Sequence, residues 1–182
     1  MFNKIAPIIL ICLLIFIFYA VFTKASQSTK TKRVECQTKT TTFEKIFVEE
    51  PIKEAIKAFK TGNYEINSSI EYSKYMKSHL KDILTKEQSD ELLKNIINKY
   101  LISMEQKNQD KKVSINYYVY ENDKEDSGKK NSEAKKYAGY LMFDFKYDKK
   151  LVYKIQIDYM DLDAKDLEDR MDCVINSFLS IY

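Results

Sequence analysis

Chemistry has to begin with groups that transfer protons, attack, or hold a metal, and this sequence offers few of them. It has one histidine, His79. That residue stands beside Leu80 and one helical turn after Tyr75 and Met76, the setting of a surface or boundary side chain. There is no glycine-rich phosphate loop, no Cys-x-x-Cys pair and no histidine cluster with metal-ligand spacing. No catalytic residue is therefore assigned. Paired carboxylates need no local motif, so an enzyme using carboxylates or His79 in a cone-shaped pocket stays open as the alternative.

The densest acidic stretch is Asp158, Asp161, Asp163, Asp166, Glu168, Asp169 and Asp172. Asp161-Leu162-Asp163 opens like a calcium loop, but Asp166 stands where an EF-hand needs Gly and Asp172 where it needs Glu. Acidic groups at a helix start are favoured by its dipole without any ligand. No metal and no cofactor is expected.

Three cysteines are present, Cys12, Cys36 and Cys173. Cys36 sits in a polar segment unsuited to core packing. On a helical wheel Cys173 falls opposite the stripe Leu167, Met171, Val174, Ile175, Phe178 and Tyr182, beside Asp169, Asn176 and Ser180. The pair is expected to form a disulfide in an oxidising compartment and to remain two free thiols elsewhere. The aromatic content, 14 Tyr and 10 Phe, also asks for a use. Tyr118, Tyr120, Tyr140 and Met142 lie opposite the more apolar faces of their strands and form a candidate binding face, since Tyr gives large contact area at low entropic cost. The competing reading is packing, because Tyr is a good strand former.

The elements that position these groups follow from periodicity. Ile5 to Phe22 is an unbroken apolar stretch without charge, long enough to span a bilayer as a helix of about 27 Å. It predicts a membrane anchor over residues 1–25, with a cleaved signal peptide as the rival. Lys24, Lys30, Lys32 and Arg33 after the span argue for a cytoplasmic domain, whereas the short N-terminal tail is that of a signal anchor with the domain exported. The latter layout, a single-pass protein of the cytoplasmic membrane with an extracytoplasmic domain, is the expectation. The first 33 residues hold five basic groups and no acidic ones, leaving 25 basic against 27 acidic in the rest. A near-neutral domain lacks the basic stripe that nucleic acid requires.

Residues 26–42 read as a polar linker and 43–182 as one α+β domain. Phe43 to Lys60 has helical spacing, with Pro51 starting a fresh turn and Gly62 ending it. Asn67 to Leu84 reads as a second helix. Thr85 and Gln88 form a capping box for a third, with Leu92, Leu93, Ile96, Ile97, Tyr100, Leu101 and Met104 as its stripe. Alternation then predicts strands over Val113 to Tyr120, Tyr137 to Tyr147 and Val152 to Tyr159, the last two a hairpin closed at Asp148-Lys149-Lys150. Glu121 to Lys136 reads as a flexible loop, and Asp163 as the cap of a final helix. The expected fold is α+β: an N-terminal transmembrane helix, three helices packed on a curved antiparallel sheet of three or more strands, and a C-terminal helix.

The segment Ala55-Ile56-Lys57-Ala58-Phe59-Lys60-Thr61-Gly62-Asn63-Tyr64-Glu65 resembles the end of the first helix in nuclear-transport-factor-2-like (cystatin-like) domains. The likeness covers about Phe43 to Tyr159. It implies helices closing a cone whose mouth holds a ligand or partner, and some membrane-tethered members serve secretion or conjugation machines. The expected function is a non-enzymatic, membrane-anchored binding or assembly module of the cell envelope. Its expected partners are the membrane through Ile5 to Phe22 and another envelope protein or a small apolar ligand, with no nucleic acid. A structural subunit of a membrane complex is a further alternative.

Overall fold

The structure, a computed structural model, describes residues 12–19, 33–48, 50–103, 111–129 and 131–182. The chain divides into two compact units, Met1–Thr31 and Lys32–Tyr182. The transmembrane expectation is corrected in the first. Among the described residues no helix is long and apolar enough to cross a membrane. The helical residues described there are 12–19. The rest of residues 5–22 lies outside the described residues. The single-pass, signal-anchor and membrane-localisation readings fall with that span.

The second unit runs β1 (Thr42–Ile46), α1 (Glu50–Lys60), β2 (Tyr64–Glu71), α2 (Leu80–Ile83), α3 (Lys86–Asn98), β3 (Val113–Glu121), β4 (Gly139–Tyr147), β5 (Lys150–Tyr159) and α4 (Leu167–Leu179), with 3₁₀ turns at Glu35–Thr38 and Glu133–Lys135. The α+β class holds, but the sheet is five-stranded and mixed, in the order β1-β5-β4-β3-β2. β2 and β3 pair in parallel and the other neighbours antiparallel. Parallel neighbours need a crossover, and α2 and α3 supply it. Two segments expected to be helical are thus split. Phe43 lies in an edge strand before α1, and residues 67–71 belong to β2 before α2.

The central strands form as their alternation requires. Val113, Ile115, Tyr117 and Val119 of β3, Leu141, Phe143 and Phe145 of β4, and Tyr153, Ile155 and Ile157 of β5 are all buried on one face. The β4–β5 turn pairs Tyr147 with Lys150 and holds Asp148 and Lys149 at φ 48° and 62°, the left-handed pair of a hairpin turn whose twist matches its strands. Gly139 faces the same side. A Cβ there would run into the Tyr120 carbonyl and the Tyr159 ring, and the Tyr159 hydroxyl donates to that carbonyl at 3.3 Å.

α1, α3 and α4 cover this one face. α3 starts with the expected box, the Gln88 amide N–H donating to Thr85 and the Gln88 side chain accepting from the Thr85 N–H. Its Ser89 and Asp90 meet the buried Tyr117 hydroxyl, both at 2.8 Å, so the phenol enters the core with partners. Asp166, rather than Asp163, precedes α4. Its carboxylate accepts the Met160 and Asp161 N–H groups and the Arg170 guanidinium.

The centre of the core is an aromatic stack. Phe178 of α4 lies 4.3 Å from Phe145 in a near-parallel pair and 5.8 Å edge-on from Phe59 of α1. Phe59 is fully buried, so Phe59→Ala is expected to cost about 3–5 kcal/mol in urea unfolding. A loss below about 1 kcal/mol would show that α1 does not close this core.

Candidate binding face

Helices cover one side of the sheet, and the other side carries Tyr118, Tyr120, Tyr140 and Met142, half-buried against one another. The register sets them in two rows. Tyr120, Tyr140 and Asp158 stand side by side across β3, β4 and β5, and Tyr118, Met142, Gln156 and Phe43 run from β3 to β1. The Tyr120 and Tyr140 rings stack at 4.7 Å, and Tyr118 meets Tyr140 edge-on at 5.9 Å. Phe43, at 63% exposure, places an aromatic ring at the edge end of the second row, beyond Gln156.

The cluster is held in place from both ends. Burial, and after it the hydrogen bond with Tyr118, push the Tyr140 phenol above its ordinary value of 10, so it stays a neutral hydrogen-bonding group at physiological pH. Lys129 Nζ lies 5.3 Å from the Tyr120 ring centre and donates to its hydroxyl at 3.2 Å. The same ammonium donates to Asn122 Oδ1 at 2.6 Å and to the Asp123 carbonyl at 3.0 Å. Two clefts border the tyrosines along β2. One of about 290 Å³ lies between Asn67, Ser69, Asn116, Tyr118 and Met142, and one of about 680 Å³ between Glu71, Tyr75, Tyr120 and Asp126.

The end of β3 organises the segment beside the larger cleft. Glu121 is 3% exposed and its carboxylate accepts the N–H groups of Ser73, His79 and Leu80 and the Ser78 hydroxyl. Asp123 accepts those of Lys74, Tyr75 and Met76 at 2.6, 2.6 and 3.2 Å. Residues 73–80 have few backbone partners of their own, so these two carboxylates stand in for a helix or ladder. The flexible-loop expectation for 121–136 is corrected at this end. Asn122 is fully buried and donates to the Ala134 and Tyr137 carbonyls. The signal lay in the β3 alternation itself, which carried one step further puts Glu121 on the buried face.

His79 is exposed and enters this arrangement through its backbone, not its imidazole. The acidic run 158–172 is likewise spent locally: Asp158 is buried and bonded to Gln156, Asp163 pairs with Lys165, and Asp172 accepts the Tyr100 hydroxyl. Among the described residues no group of three or more metal-ligating side chains converges.

Cys36 and Cys173 are brought together, with sulfurs 2.05 Å apart and Cα atoms 5.7 Å apart. Cys173 is buried at 1% exposure, contrary to its wheel position, because the 3₁₀ turn at Glu35–Thr38 packs on that side of α4. Residues 33–42 are thus part of the domain rather than linker. The Arg33 guanidinium donates to the Thr42 carbonyl at 2.8 Å, and the Tyr153 hydroxyl reaches Glu44 of β1 at 2.5 Å. Between helices and sheet, where the family resemblance would place a ligand-bearing cone, stand Phe59, Phe143, Phe145 and Phe178. No family model matches the chain, and neither a curated protein nor a solved structure matches it.

Two outcomes are expected from this geometry. Burial raises the Glu121 pKa, and the donors from Ser73, Ser78, Leu80 and His79 outweigh it, so the carboxyl sits below its ordinary 4.5. Its contribution is therefore complete above the unfolded-state value and lost as pH falls through the lower folded-state one. Glu121→Gln should cost about 1.5–3 kcal/mol at pH 7 and flatten the acid limb of the stability profile. An unchanged acid limb would place the acid sensitivity elsewhere. Alkylation before and after reduction, read by mass spectrometry, should find Cys12 free and Cys36 joined to Cys173. Reduction should then cost about 5 kcal/mol in the chain-entropy model, and three free thiols in freshly prepared native protein would contradict the bond.

Proposed function

We propose that this chain is a non-enzymatic binding module whose recognition surface is the helix-free face of the sheet, and that its ligand is another protein. The observation that carries the reading is the set of mutually packed rings Tyr118, Tyr120 and Tyr140 on a face that no helix covers. Rigid, partly exposed aromatics supply binding energy at small entropic cost, and Tyr is enriched where a few residues dominate an interface. Phe43 and Met142 add apolar area, while Asn116, Asp144 and Lys154, paired across the next row, form a polar border of the kind that surrounds such a centre.

The carboxylates support this reading over an enzymatic one. Glu121 and Asp123 are engaged by backbone N–H groups, which leaves them as positioning elements for residues 73–80. The Cys36–Cys173 bond adds that the module suits oxidising surroundings, where such a bond persists.

The test is affinity capture from native extracts followed by quantitative binding. Tyr140→Ala is expected to weaken the captured partner by about 2 kcal/mol, the size of a central interface residue, while the melting temperature moves little. Undiminished binding by Tyr140→Ala together with Tyr118→Ala would remove this face from the function.

A further inference from the structure

Among the described residues, strand pairing inside the sheet leaves two free edges, the outer sides of β1 and β2, and they differ. β1 is five residues long with Glu44 and Lys45 in its middle, the short and charged form by which a sheet keeps its edge from pairing. β2 runs eight residues, Tyr-Glu-Ile-Asn-Ser-Ser-Ile-Glu, in unbroken register with β3. Its two charges, Glu65 and Glu71, stand near its ends rather than in its middle, and it has no proline, lysine or bulge. An edge of that length without such protection is a template for another strand.

Which strand fits is written in the same residues. Read outward from Ser68 the sequence is nearly a palindrome: Ser69 mirrors Asn67, Ile70 mirrors Ile66, Glu71 mirrors Glu65 and Tyr72 mirrors Tyr64. Two antiparallel copies with a two-fold axis at Ser68 therefore set Ile66 against Ile70 and Tyr64 against Tyr72, each pair occurring twice, as an isologous contact requires. All four side chains are only partly buried within one copy while packing on its core, so pairing completes their burial. The one unfavourable match puts Glu71 opposite Glu65, and there Lys112, already ion-paired with Glu65, supplies the counter-charge for both. A foreign strand would have no reason to find this mirror symmetry.

We infer that β2 is a homodimerisation edge: two copies of this chain join β2 to β2, antiparallel about Ser68, into one continuous sheet. The inference is independent of the tyrosine face, which remains open on both copies. The test uses the full chain carrying Cys12→Ser, so that its remaining native cysteines, Cys36 and Cys173, are held in their disulfide. Under mild oxidation Ser68→Cys is expected to give roughly tenfold more covalent dimer than Ser69→Cys, because only a residue on the axis meets its own copy within disulfide reach. In sedimentation equilibrium the chain without a β2 substitution is expected to dimerise with rising concentration, and Ser69→Lys, which blunts the edge, to remain monomeric. A chain that stays monomeric at all concentrations leaves the edge to some other strand and overturns the proposal. So does a Ser69→Lys variant that dimerises undiminished, or equal cross-linking at positions 68 and 69.

Discussion

One-sided burial governs this domain. A sheet with an apolar face must cover it, and α1, α3 and α4 do so from a single side, with Phe178 of α4 against both Phe59 of α1 and Phe145 of β4. Side chains alternate along a strand, so every residue committed to that core sends its neighbours to the other face. Tyr117 and Val119 go inward, and Tyr118 and Tyr120 are thereby sent outward. The open tyrosine cluster is the reverse side of the core, and it stays rigid because β3, β4 and β5 are fixed by what they bury.

A second layer of the architecture rests on charge-assisted hydrogen bonds at the end of β3. Glu121 and Asp123 hold residues 73–80, and Asn122 holds 134–137. Three consecutive residues thus anchor both connections that border the open face. Buried carboxylates tolerate this position because each accepts several donors, an arrangement that keeps the charged form favoured against burial. At the opposite edge the Cys36–Cys173 bond and the Tyr153–Glu44 contact hold the N-terminal turn and β1 in place.

The parts legible in the sequence are those whose signal is local and redundant. α3 carries both its capping box and its stripe, and β4 and β5 carry alternation plus a two-residue turn. β1 and β2 were unreadable for a definite reason. Ile66 and Ile70 are four apart, a spacing that satisfies both the helical and the strand period, and β2 is stabilised by a parallel neighbour some fifty residues away in the chain, which leaves no local trace. In β1 the exposed Phe43 imitates a helical stripe with Ile46 and Phe47. The wheel misplaced Cys173 because the turn covering it comes from residues read as linker. The tyrosine face itself was legible, since strand parity alone separates Tyr118 from Tyr117. The two anchoring carboxylates were hidden by their type, acidic residues at a strand end reading as solvent-exposed loop.

The proposed recognition surface is the helix-free face with Tyr118, Tyr120 and Tyr140. Its most direct test is site-specific photo-crosslinking with the reactive group placed at Met142 on the open face and, as a control, at Asn176 on the exposed side of α4. One cross-linked species is expected from position 142, displaced by excess unlabelled wild-type chain but not by Tyr140→Ala chain, and none from position 176. Equal cross-linking from both positions, or displacement by Tyr140→Ala as effective as by wild type, would contradict it.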